Sequence, residues 1–231
     1  MLKTVALIAA AGQGKRMGSK LNKQYLPLLG KPVLAHTLEV FQQHPLIDDI
    51  IVIATKDEVE FCKKEVVEAF DFNKVSQIVA GGQERQDSIY RGLQSLPEEC
   101  DLVVVHDGAR PLVTPQILTE AIKEAQLSKA SVVAVPVKDT IKQVNREGFV
   151  EKTLNRAELV SVQTPQVFKK EIILKAYEEA FKKGIYGTDD ASLVELWGIK
   201  VKVVMGSYEN IKITTPEDIE LALSLIRGRN S

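Results

Sequence analysis

The residues best suited to chemistry begin where the first apolar run of the chain ends. Directly behind residues 5–10 stands Ala11-Gly12-Gln13-Gly14-Lys15-Arg16-Met17-Gly18, two glycines followed by two cations. Glycines let a backbone approach a ligand closely and turn successive N–H groups toward an anion. Lys15, Arg16, Lys20, Lys23 and Lys31 follow, with no acid before Glu39 to neutralise them. In a partly closed site such a cluster would offset the charge of a polyphosphate. The plainer alternative is a tight turn carrying solvated lysines. Two familiar nucleotide loops are excluded by position. A dinucleotide fingerprint needs a third glycine where Met17 stands and an acid about 20 residues on, and a P-loop needs Ser or Thr where Arg16 stands.

Beyond this loop the inventory is short. Asp107 closes the apolar run 102–106, and open α/β sheets bind ligands at such strand ends. Three uses are open to it: helping to hold a metal ion, hydrogen-bonding a nucleotide, or pairing with Arg110. His36, His44 and His106 form no metal-ligand pattern, and Cys62 and Cys100 lack a close-spaced partner, so neither a zinc site nor a disulfide framework is expected. His106 reads as a buried strand residue without chemistry. With 30 basic and 31 acidic side chains the net charge is −1, which argues against a dedicated nucleic-acid binder. The balance is uneven, because the first 38 residues hold six cations and no acid.

The elements that must position these groups are legible from periodicity. Residues 5–10, 50–54, 75–79, 102–106 and 131–135 are short, nearly unbroken apolar runs that suit strands covered on both faces. Between them, Leu34, Leu38 and Phe41, and again Ile117, Ala121, Ile122 and Ala125, fall at helical spacing. Thr114-Pro115 and Thr215-Pro216 each place a capping hydroxyl before a first-turn proline, and a helical stripe of Ile219, Ala222, Leu223 and Ile226 follows the second. This alternation predicts one α/β domain over residues 1–231 with a mainly parallel sheet. Residues 137–156 break the pattern and read as a polar hairpin around Asn145-Arg146-Glu147-Gly148. Such an arm either packs on a partner subunit or lies free in solvent. The apolar run at the N-terminus is too short for a membrane span and ends in no signal-peptidase-like site, so a cytoplasmic protein is expected.

Taken in order, the polar landmarks carry a family resemblance. Ala10-Ala11-Gly12-Gln13-Gly14-Lys15-Arg16-Met17 and Lys23-Gln24-Tyr25-Leu26 are followed by Gly81-Gly82-Gln83-Glu84-Arg85-Gln86-Asp87-Ser88 and Val105-His106-Asp107-Gly108-Ala109-Arg110-Pro111. Then come Pro136-Val137-Lys138-Asp139-Thr140, Asn155-Arg156, Thr164-Pro165-Gln166, Thr188-Asp189-Asp190-Ala191-Ser192 and Asn210-Ile211-Lys212-Ile213-Thr214. Over essentially its whole length the chain resembles the sugar-phosphate nucleotidyltransferases, and closely the 2-C-methyl-D-erythritol 4-phosphate cytidylyltransferases of the non-mevalonate isoprenoid pathway.

The resemblance implies a Rossmann-like three-layer sandwich whose protruding β-hairpin is a homodimerisation arm. It also implies transfer of CMP from CTP to 2-C-methyl-D-erythritol 4-phosphate, giving 4-diphosphocytidyl-2-C-methyl-D-erythritol and pyrophosphate. A phosphate monoester is itself the nucleophile, so charge stabilisation and positioning are the enzyme's tasks. By the family match, Arg16, Lys23, Arg156 and Lys212 are catalytic. Ala10, Ala11, Gly12, Gly14, Gly82, Arg85, Ser88, Asp107 and Gly108 bind CTP. Thr140, Arg156, Thr164, Thr188 and Lys212 take the polyol phosphate, with Thr140 and Arg156 reaching a neighbouring subunit. Mg²⁺ or another divalent cation is the implied cofactor, with Asp107 as candidate ligand. Each cation has the plain alternative of a solvated surface charge. Thr164 and Thr188 have that of turn and cap residues, Thr188 capping a helix that opens with Asp189 and Asp190.

Gly108 stands where the family commonly has alanine, and Glu209 where relatives often have aspartate; neither change removes a group the reaction needs. No cyclodiphosphate synthase domain follows Ser231, so the monofunctional form is expected. Two rivals remain at this level: a ribitol 5-phosphate cytidylyltransferase, and a non-catalytic nucleotide-binding regulator.

Overall fold

β-branched residues and leucines alternate with helix-period segments, and the chain folds accordingly. The computed structural model describes residues 2–12 and 22–229. The strands are β1 (Thr4–Ala10), β2 (Pro27–Leu28), β3 (Lys31–Pro32), β4 (Asp49–Ala54), β5 (Val75–Ala80), β6 (Leu102–Asp107), β7 (Ala130–Pro136), β8 (Lys142–Val144), β9 (Val150–Thr153), β10 (Val160–Lys169) and β11 (Lys202–Met205). The helices are α1 (Val33–Gln43), α2 (Val59–Cys62), α3 (Arg85–Gln94), α4 (Pro115–Ser128), α5 (Lys170–Lys182), α6 (Asp190–Leu196) and α7 (Pro216–Arg229).

Seven strands form one sheet in the order β11-β7-β10-β6-β1-β4-β5. β1 lies parallel to β4 and β6, β4 parallel to β5, and β7 parallel to β11. β10, which periodicity did not reveal, runs antiparallel between β6 and β7. All five strands expected from sequence are present. Because strand side chains alternate, Ala6, Ile8 and Ala10 of β1 face one layer while Val5 and Leu7 face the other. The first layer is built from α1 and α4, through Leu34, Leu38, Phe41, Leu118 and Ile122. The second is built from α3, α5 and α6, through Ile89, Leu93, Ile173, Tyr177 and Val194. α7 closes a smaller cluster with Leu28, Val33, Leu112 and Ile213.

Local signals explain the ends of these elements. Thr114 Oγ1 accepts from Ile117 N at 3.3 Å, with Pro115 in the first helical position, as expected. At α6 the cap is one residue later than expected: Asp189, not Thr188, accepts from Ser192 N at 2.9 Å. An aspartate is as good a cap as a threonine and adds charge at the positive end of the helix. In the arm, β8 and β9 flank residues 145–148, where Asn145 Oδ1 accepts from the N–H groups of Glu147 and Phe149 and Gly148 takes φ +87°. Val144, Phe149 and Val150 are exposed there.

Phe41 packs α1 onto β6, its ring 5.0 Å from the imidazole of His106, and it is fully buried. Phe41→Ala is expected to lower unfolding stability by about 3–5 kcal/mol. A reduced urea midpoint with an unchanged slope would show it; a shift under 1 kcal/mol, on the scale of ~1 kcal/mol for an average substitution, would not.

Candidate active site

β1, β4, β5 and β6 are parallel, so their C-terminal ends share one edge of the sheet. There the glycine-bearing turns and Asp107 meet. A cavity of about 680 Å³ opens over this edge, lined by residues that include Gly12, Lys23, Gly82, Arg85, Asp107 and Lys212. A second, of about 500 Å³, adjoins it and holds Arg110, Thr164, Gln166 and Thr188. Arg85, Asp107 and Lys212 line both.

The first cavity is shaped by backbone. Gln24 is buried, and its Nε2 donates to Ala10 O at 2.6 Å, tying the turn that carries Lys23 to the end of β1. Glu58 accepts from Asn22 Nδ2 at 2.6 Å and from Thr55 Oγ1 at 2.5 Å, so the end of β4 holds the same turn. Gly82 has no room for a side chain, because a Cβ there would lie 2.3 Å from the Cβ of Asp87. The Ser88 hydroxyl accepts from Gly82 N and donates to Glu84 O, both at 3.0 Å. It therefore fixes the turn that lines the cavity.

The shared wall is electrostatic. Asp107 is nearly buried at the end of β6 and faces three cations. Lys212 Nζ lies 2.9 Å and Arg110 Nε 3.3 Å from Oδ2, and Arg85 Nε lies 3.7 Å from Oδ1. Burial alone would raise the pKa of this carboxyl; Lys212, Arg85 and Arg110 reverse that and hold it far below the usual carboxylate range. Arg85 in turn is clamped by Asp190, Nη1 to Oδ1 at 3.0 Å and Nη2 to Oδ2 at 2.7 Å. Tyr177 donates its hydroxyl to the same Oδ1.

Thr164 Oγ1 accepts from Asp107 N at 3.0 Å. Asn210 Nδ2 donates to Thr164 O at 2.9 Å, and Asn210 O accepts from Arg110 Nη1 at 2.8 Å. His106 lies behind this frame. Its Nε2 donates to Arg110 O at 3.2 Å, which closes the turn carrying Arg110 toward Asp107, and burial pushes its pKa down to about 4.

The residues anticipated from sequence divide into groups. Ala11, Gly12, Lys23, Gly82, Arg85, Ser88, Asp107 and Lys212 converge on the first cavity, and Thr164, Thr188 and Lys212 on the second. Ala10 and Gly108 stand behind the lining, Ala10 O taken by Gln24, and Gly108 bonded to Ala9 O and to the Thr37 hydroxyl. Thr140 and Arg156 are exposed on the arm; Arg156 Nη1 donates to Lys138 O at 2.9 Å, and neither residue is among the described lining of either cavity. Gly14 and Arg16 lie outside the described residues. Sequence reading gave no role to Gln24, Asp190 or Asn210, although each lies within two residues of a named site residue, Lys23, Thr188 and Lys212 respectively. The partner of Asp190 is 105 residues away.

Among the described residues no group of three His, Cys, Asp or Glu side chains is placed to hold a metal. Asp107 Oδ2 is committed to Lys212 and Arg110, whereas Oδ1 faces Arg85 at the longer distance. That oxygen suits one contact to a cation held mainly by substrate phosphates. No described helix is long and apolar enough to cross a membrane.

The model of the family 2-C-methyl-D-erythritol 4-phosphate cytidylyltransferase matches residues 4–228. The chain is 51% identical to the enzyme of that name from Desulforamulus reducens, over 98% of this chain and 97% of that one. It is 50% identical to the one from Caldanaerobacter subterraneus subsp. tengcongensis, over 96% and 98%. The crystal structure of 4-diphosphocytidyl-2C-methyl-D-erythritol synthase from Anaerococcus prevotii superposes with a TM-score of 0.87 at 35% identity, covering 98% of this chain and 96% of that one. The cytidylyltransferase from Thermus thermophilus does so with 0.78 at 31%, covering 96% and 98%.

The lowered pKa of His106 sets a pH dependence. Between about pH 6.5 and 4 the unfolded chain binds a proton that the folded one refuses, so stability falls as pH drops through that window, by about 3 kcal/mol for this group. His44, also lowered by burial, acts in the same direction. Denaturation of wild type and His106→Gln from pH 4 to 7 is expected to show a shallower loss in the variant; parallel curves would mean that His106 is not the group.

Proposed function

Because the chain belongs to the 2-C-methyl-D-erythritol 4-phosphate cytidylyltransferases, which transfer CMP from CTP to the polyol phosphate in non-mevalonate isoprenoid biosynthesis, we propose how its two cavities divide that reaction. The larger cavity takes CTP and the smaller takes 2-C-methyl-D-erythritol 4-phosphate. The observation that carries this reading is that both cavities open onto Arg85, Asp107 and Lys212.

In this arrangement an oxygen of the methylerythritol phosphate attacks the α-phosphorus of CTP. The bond to the β-phosphate bridging oxygen breaks, and pyrophosphate leaves with the electron pair. The attacking phosphate is already ionised, so no side chain need remove a proton. The work falls on positioning and on charge. Lys23, with Arg16 from the glycine loop, offsets charge growing on the CTP phosphates. Lys212 stands at the border, where its ammonium meets the incoming phosphate and the α-phosphate together. Asp107 keeps it there. Backbone at Gly81 and Gly82, which leaves no space for a Cβ, is suited to approach the cytosine.

We further propose that Mg²⁺ or a similar divalent cation enters on the CTP phosphates, where it would neutralise charge on the leaving pyrophosphate. Asp107 Oδ1 is the protein oxygen disposed to meet it. We also propose that the protein works as a homodimer in which Thr140 and Arg156 of one arm complete the smaller cavity of the other copy. The exposed Val144, Phe149 and Val150 support this, since an apolar arm tip gains by being covered.

Lys23→Ala is expected to lower kcat by at least ~10²-fold in a pyrophosphate-release assay with CTP, Mg²⁺ and methylerythritol phosphate. An unchanged kcat would remove Lys23 from catalysis, and turnover of ribitol 5-phosphate in its place would change the acceptor. For the arm, Arg156→Ala is expected to raise KM for the polyol phosphate and leave that for CTP unaltered. Deletion of residues 141–154 is expected to yield a monomer by sedimentation; a fully active dimer after that deletion would refute the arm's role.

A further inference from the structure

Asp190 has no role in the reaction as described, yet it is fully buried directly behind the wall shared by the cavities. It does not serve as the cap of α6, because Asp189 does that. A buried carboxylate is tolerated only when its oxygens are matched. Here Oδ1 accepts from Arg85 Nη1 and from the Tyr177 hydroxyl, and Oδ2 accepts from Arg85 Nη2. Such a two-pronged contact fixes the plane of the guanidinium as well as its position. With both terminal nitrogens held, Nε stands 3.7 Å from Asp107 Oδ1, an ion-pair distance.

The same pair joins the elements that line the two cavities. Arg85 opens α3, just after Gly82 of the larger cavity; Asp190 opens α6, just after Thr188 of the smaller. Gln86 reinforces the junction, accepting from Gly187 N at 2.9 Å and donating to Ile185 O at 3.0 Å. From the other side, Gln166 of β10 donates to Asp189 Oδ2 at 2.7 Å and accepts from Ala191 N at 2.9 Å. α3 and α6 are thus fastened together beneath the shared wall.

We propose that Asp190, backed by Tyr177, is a positioning residue that sets Arg85, and through it Asp107, at the boundary between the nucleotide and polyol-phosphate cavities. The proposal rests on the assignment of those cavities given above. Asp190 touches neither substrate, and its effect passes through the guanidinium. Both substrates therefore feel its loss together, whereas a contact confined to one cavity would change only one KM. Arg85 also has one N–H of each terminal nitrogen turned to Asp190, which makes it a fixed part of the wall of the larger cavity.

The test is a double-mutant cycle on Asp190→Ala and Arg85→Ala, with kcat and both KM values measured beside the melting temperature. Asp190→Ala is expected to raise KM for CTP and for methylerythritol phosphate together and to lower kcat/KM on the order of 10²-fold. In the Arg85→Ala background the same change is expected to cost little more in kinetics. Multiplicative losses in the double variant, or native kinetics in folded Asp190→Ala, would overturn the proposal. Should Asp190→Ala fail to fold, Tyr177→Phe and Asp190→Asn keep the question open to measurement. Each is expected to shift both KM values in the same direction by a smaller factor, and a change in melting temperature with native KM values would overturn it. Failure of the cavity assignment is a separate result: Lys23→Ala would then leave kcat native and Arg156→Ala would leave KM for the polyol phosphate native, whatever the cycle gives.

Discussion

A carboxylate at the buried end of an apolar strand survives in its charged form only if nearby cations exceed the cost of taking it out of water. Asp107 meets that condition with three, drawn from α3, from the turn after β6 and from the segment after β11. The dependence is mutual. Arg85, Arg110 and Lys212 would repel one another around an empty space; Asp107 draws them into one array, in which Asp190 clamps Arg85 from behind. Removing the acid would leave clustered cations, and removing the cations would leave a buried acid. Each side is stable only as part of the group.

Topology makes this array possible. β6 sits between β1 and β10, and the antiparallel run of β10 brings Gln163, Thr164 and Gln166 across the end of β6. Asp107 N therefore donates to a threonine hydroxyl rather than to a ladder carbonyl. The pairing of β10 with β7 slips between Val162 and Gln166, where the smaller cavity opens. A wholly parallel sheet would have continued its ladder past this point. The reversed strand ends the ladder and supplies polar groups in its place.

What was legible in the sequence follows from how local each cause is. Four of the five strands, β1, β4, β6 and β7, were readable because burial on both faces leaves an almost unbroken apolar run. β5 departs from that expectation, since it is the edge strand, only partly buried, and exposes Ser76 and Gln77. The cap at Thr114 and the glycine-rich turn at 81–82 were readable because hydroxyls, proline and glycine act within a few residues. β10 was not, since Ser161, Gln163, Thr164, Pro165 and Gln166 look like a loop. Their strand character comes from pairing with β6 and β7. The Thr188 cap failed for a narrower reason: Thr188, Asp189 and Asp190 can each cap a helix, and packing selects Asp189. Arg85 with Asp190 was invisible for the opposite reason, a pair joined over 105 residues with no local trace. The roles of Thr140 and Arg156 rest on family resemblance, because within one chain both side chains are exposed on the arm.

The array also bears on a chain that is nearly neutral yet must bind two anions. Net charge says little, because the acids are not spread evenly against the cations. The first 38 residues hold six cations and no acid, and the fold brings acids from further along the chain to two of them, Glu99 to Lys3 and Glu39 to Lys31. At the wall, Asp107 and Asp190 oppose Arg85, Arg110 and Lys212. This arrangement suits catalysis, because a lysine held 2.9 Å from a buried carboxylate already has its direction. An arriving phosphate then meets oriented donors and need not reorganise them, which is where electrostatic catalysis gains over solvent. The carboxylate weakens the pull of each cation on a resting ligand, but it fixes their geometry for the moment when phosphoryl charge is greatest. Such a site gives up ground-state affinity and keeps its advantage for the transition state.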